Sequence, residues 1–99
     1  MGVVPYEDEL LKQIRFYKIN LDYLVSQDMK PLGSIWYCEG CLEGSRWLLR
    51  SYTCGANRRY ILAGLIRKQN LMKKHPRGSY DEVYLRGYCA VVRKHLSDK

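Results

Sequence analysis

Leu10, Leu11, Ile14, Tyr17, Leu21, Leu24 and Val25 recur at helical spacing, so the chain opens on a long amphipathic helix over about Pro5 to Val25. Such a helix is marginal alone and needs a partner surface for its apolar side. Pro5 suits a first helical turn, and Glu7, Asp8 and Glu9 sit where the positive end of the helix dipole favours carboxylates. Pro31 and Gly33 mark Ser26 to Ser34 as a loop. With 99 residues there is room for one domain, spanning 1–99, and one core.

The next region changes character. Ile35 to Cys38 and Arg46 to Cys54 are rich in aromatic and branched residues, and Leu42-Glu-Gly-Ser45 between them has glycine where a type II turn needs positive φ. This pattern predicts a β-hairpin. Asn57 is a cap for a helix running to about His75, with Ile61, Leu62, Leu65 and Met72 as its apolar stripe. Pro76 to Ser79 breaks that helix, and Ser79-Tyr-Asp-Glu82 is a capping-box pattern opening a last helix to about Leu96. The order helix, hairpin, helix, helix predicts an α+β domain with helices packed on one face of a small antiparallel sheet.

The net charge of +7 is unevenly spread. From Gly44 to Tyr80 there is no Asp or Glu, yet Arg46, Arg50, Arg58, Arg59, Arg67, Lys68, Lys73, Lys74 and Arg77 all fall there. Residues 1–43 carry −3 and residues 81–99 carry +1. An acidic first part beside a purely basic middle points to an anionic partner, DNA or RNA first. At about 100° per residue, Arg59, Ala63, Arg67, Asn70 and Lys74 cluster opposite the apolar stripe of their helix. Arg59, Arg67 and Lys74 suit phosphates there, and Asn70 has the donor and acceptor to read a base edge. The plain alternative is a solvated helix face, but solvated faces usually mix signs.

Nine of the twelve aromatic residues are Tyr. Tyr80, Tyr84 and Tyr88 follow at four-residue steps on the last helix. A stripe of this kind serves as core or as a subunit interface, here of a homodimer, and only secondarily as a stacking platform for single-stranded bases. Cys38-Glu-Gly-Cys41 has the spacing of half a zinc knuckle, but Cys54, Cys89, His75 and His95 supply no second close pair. Buried free thiols are the expected state, and no metal or other cofactor is expected. No Ser–His–acid arrangement, paired carboxylates or phosphate loop is legible, so no enzymatic activity is expected.

The start of the chain is acidic where a secretory signal would be basic, and Tyr6 stands where a myristoylation signal needs Ser or Thr. The longest apolar run, Tyr60 to Ile66, is too short to span a bilayer, so a cytoplasmic protein without a membrane partner is expected. In length, basicity and Tyr-rich segments such as Tyr80-Asp-Glu-Val-Tyr-Leu-Arg-Gly-Tyr88, the chain resembles the small proteins of filamentous archaeal viruses of the lipothrixvirus and rudivirus kind. The resemblance implies host-cell cytoplasm and heat tolerance, and makes internal disulfides unsurprising. It brings no site residues with it. The expected function is that of a nucleic-acid-binding accessory protein. The alternative is a virion or scaffold interaction module that dimerises through Tyr80, Tyr84 and Tyr88.

Overall fold

A computed structural model describes residues 3–99, and in it Pro31 and two positive-φ glycines punctuate four helices. These are α1 (Glu7–Val25), α2 (Leu32–Thr53), α3 (Arg58–Met72) and α4 (Tyr80–Asp98). Gly55, at φ 85°, ends α2 in a left-handed cap, where Gly55 N–H donates to the Tyr52 carbonyl and Ala56 N–H to that of Ser51. Asn57 caps α3 by accepting from Tyr60 N–H, and Ser79 caps α4 by accepting from Glu82 N–H. Glu82 completes a variant of the capping box, its carboxylate accepting from Gly78 N–H rather than from Ser79.

The predicted hairpin is corrected: Ile35–Cys38 and Arg46–Cys54 belong to α2, and the described residues contain no strand. The fold is therefore all-helical rather than α+β. Ile35, Cys38, Cys41, Leu42, Ser45, Leu48 and Tyr52 are buried at helical spacing, so packing overrides the local β preference of the aromatic and branched residues. Gly44 is not a turn residue. It lies inside α2 with Gly40, although each glycine costs a helix about 1 kcal/mol relative to alanine.

Those glycines are explained by α4. A Cβ on Gly40 would stand 1.9 Å from the Tyr84 carbonyl oxygen, and one on Gly87 2.2 Å from that of Tyr37. The two backbones touch along a seam that only missing side chains permit. Contacts advance together, from Trp36 on Tyr80 to Tyr52 on His95, so α2 and α4 run parallel. α1 returns antiparallel along α2, tied by Gln13 Nε2 donating to Ser45 Oγ at 2.8 Å and by the Cys38 thiol donating to the Tyr17 carbonyl. α3 runs antiparallel along α4, with Arg58 donating to the Leu96 carbonyl at its start and Lys68 over the Tyr88 ring farther on.

Cys38 and Ser45 face α1, whereas Trp47, on the other side of α2, meets α3. The up-down-up-down bundle is thus flattened, with α2 and α4 in direct contact and α1 and α3 on opposite flanks. Its extents are 47 × 30 × 20 Å. One core joins Leu10, Leu48, Ile61, Leu65, Tyr88, Val92 and Leu96.

Candidate nucleic-acid interface

α3 buries only Ile61, Gly64 and Leu65, which leaves most of its circumference in solvent. Arg59, Arg67, Asn70 and Lys74 are all exposed, the last just beyond the end of α3. Leu62, given above to the apolar stripe, is exposed as well, 46%, and Met72 is half-buried.

The carboxylates in ion pairs hold other residues, and the one nearest Lys74 in the chain is Asp81, 3.7 Å from His75. Glu43 holds Arg46 at 3.0 Å and Arg50 more loosely at 3.9 Å, both on α2. Glu82 engages Arg86 within α4, and Lys18–Asp22 and Lys99–Glu9 lie on the α1 side. Among the described residues no carboxylate pairs with Arg59, Arg67, Lys73, Lys74 or Arg77. The exposed side of α3 and the turn after it thus carry cations that make no ion pair with a described carboxylate.

The three tyrosines of α4 are divided by depth. Tyr80 is exposed and Tyr84 half-buried, but Tyr88 is only 5% exposed and belongs to the core. An interface through Tyr80 and Tyr84 therefore does not extend to Tyr88. Tyr88 packs against Trp47, Lys68 covers its face, and burial pushes its hydroxyl to a higher pKa.

A cavity at the start of α3 has no counterpart among the expectations from the sequence. Trp47, Arg50, Ser51, Cys54, Gly55, Ala56, Asn57 and Tyr60 line an open space of about 630 Å³. The Trp47 and Tyr60 rings form one wall, near-parallel at 19° with centroids 6.2 Å apart. Gly64 makes room for this arrangement, since a Cβ there would meet the Trp47 ring at 2.5 Å. A signal was present: Tyr60 and Arg67 are seven residues apart, which puts them on one side of α3.

The cysteines offer less chemistry. Cys38, Cys41 and Cys89 are buried free thiols and Cys54 is an exposed one. Burial pushes Cys38 upward and Cys41 to about 12, so both stay protonated at neutral pH and are poor nucleophiles and metal ligands. The described residues hold no group of three or more His, Cys, Asp or Glu placed for a metal ion. No described helix is long and apolar enough to cross a membrane. No protein-family model, curated protein or solved structure matches the chain.

Proposed function

We propose that this chain is a nucleic-acid-binding accessory protein that grips phosphates with the outer side of α3 and performs no covalent chemistry. One observation carries the reading: Arg59, Arg67 and Lys74 are exposed on one flank with no carboxylate paired to them among the described residues. Cationic side chains held apart from acids attract a polyanion and release its condensed counterions. Asn70 stands among them and has the groups to read a base edge. In a filamentous archaeal virus, the setting the sequence resembles, such a protein would act in the host cytoplasm.

Fluorescence anisotropy with labelled DNA and RNA across a salt series tests this. Three phosphate contacts give a log–log salt slope of about −2.7 on duplex DNA. The triple variant Arg59→Ala, Arg67→Ala, Lys74→Ala should flatten the slope and weaken binding to every sequence alike. Absence of binding at low salt, or an unchanged slope in the variant, removes the reading and leaves the interaction module, now without Tyr88, in its place.

A further inference from the structure

We infer that the cavity between Trp47, Arg50 and Tyr60 receives one unpaired nucleobase, so that the protein prefers single-stranded nucleic acid to duplex. The inference deepens the nucleic-acid reading above and rests on it. Its ground is a combination found at one place: an open cavity, two aromatic rings, and a continuous link to the basic face.

The cavity, about 630 Å³, falls within the roughly 300–1,000 Å³ typical of small-molecule sites. Its wall is aromatic because α3 carries Gly64 where any side chain would displace Trp47. The Trp47 ring lies across that glycine, and Tyr60, one turn earlier on α3, stacks beside it. Tyr60 is 51% exposed, so part of its ring surface is open to a ligand. Arg50, one turn after Trp47 on α2, brings a guanidinium to the same space. Its only carboxylate partner among the described residues, Glu43, is 3.9 Å away, so the guanidinium is free to turn toward a phosphate or a base.

The link to the phosphate face follows from helix geometry. Arg67 is two turns beyond Tyr60 on the same side of α3, about 10 Å along the axis. A strand lying along Arg59 and Arg67 therefore passes the cavity mouth. The aromatic contacts continue inward from Trp47 to Tyr88, but Tyr88 is buried and covered by Lys68. The accessible stacking surface beside α3 is therefore Trp47 and Tyr60. In a duplex every base is already stacked and paired, so this surface is useful only to a strand with a free base.

The test compares a short labelled oligothymidylate with a labelled duplex, by anisotropy and by tryptophan fluorescence. In the Trp36→Phe protein the sole tryptophan is Trp47, and saturating oligothymidylate should quench it while duplex leaves it nearly unchanged. Tyr60→Ala should weaken single-strand binding about tenfold, as loss of a base–aromatic stack does, and leave duplex binding alone. Tyr60→Phe keeps the ring and should bind like the wild type. Circular dichroism of Tyr60→Ala checks its fold, and the Trp36→Phe quenching reads the cavity with Tyr60 intact. Oligothymidylate that binds without quenching Trp47, or equal weakening of single strand and duplex by Tyr60→Ala, overturns the cavity but leaves the basic face standing. Failure of both probes to bind the wild type overturns both.

Discussion

Along the α2–α4 seam, Gly40, Gly44 and Gly87 let two backbones meet, and around them lie thiols and tyrosines pushed by burial toward their neutral forms. On the outer side of α3, Arg59, Arg67 and Lys74 stand in solvent. The first region depends on atoms that are absent and fails if one is added. The second depends on charges that are present and tolerates change except in what it attracts. The seam and the exposed side of α3 can therefore be perturbed separately, the first through its glycines and the second through its cations.

The seam gives the largest effect. Gly40→Ala puts a methyl group 1.9 Å from the Tyr84 carbonyl oxygen, a backbone atom that cannot swing aside. The helices must separate, and urea denaturation should show a loss of about 3 kcal/mol, the upper end of overpacking costs. Gly33→Ala is the control. It adds the same methyl group to the same helix with nothing within 4 Å, and should be neutral or stabilising by up to about 1 kcal/mol. Equal effects at the two positions would show that the seam is looser than the backbone approach implies.

The same contrast decides what the sequence could reveal. Three of the four helices were legible, α1 from its apolar recurrence and α3 and α4 because Asn57 and Ser79 act through bonds to residues three positions on, Tyr60 and Glu82. The exposure of Arg59, Arg67, Asn70 and Lys74 was legible too, since polar residues opposite an apolar stripe need no knowledge of the neighbouring helices. α2 was not. A glycine that opens a turn and one that admits another helix look alike until the other helix is known, and Gly44 is of the second kind. The helical recurrence of Ile35, Cys38, Leu42, Ser45 and Tyr52 was present but masked by aromatic and branched neighbours. The Trp47–Tyr60 cavity depends on α2 being a helix, so a hairpin pattern over α2 hides it.

A middle-sized effect belongs to the end of the seam. The Tyr52 hydroxyl and His95 Nε2 are hydrogen bonded at 2.7 Å and both residues are buried. Tyr52→Phe leaves the ring nitrogen without its partner and should cost about 1.5 kcal/mol. Burial lowers the His95 pKa from its ordinary 6.5, with Lys99 and Arg58 adding to the effect and Glu9 and Asp98 opposing it. The unfolded chain therefore takes up this proton at higher pH than the folded one. Stability is fully present above pH 6.5 and declines as pH falls through the lowered folded value. His95→Gln should flatten that decline in thermal melts. An unchanged decline would assign it to other groups, such as the Glu82 carboxylate, held below its usual range by Gly78 N–H and Arg86.

The smallest effect on stability is expected at the residues proposed to bind phosphates. Arg59, Arg67 and Lys74 are exposed and make no ion pair among the described residues, so the triple alanine variant removes no buried contact. Alanine is at least as good a helix former as arginine or lysine. The variant also takes three positive charges from a chain of net +7, which eases self-repulsion in the folded state. Urea denaturation should place it within about 1 kcal/mol of the wild type, on either side. This makes the binding test interpretable: lost affinity at unchanged stability belongs to the charges themselves. A loss above about 2 kcal/mol would mean that these side chains hold the fold through packing of their stems, and the separation between a structural seam and a binding face would fail at α3.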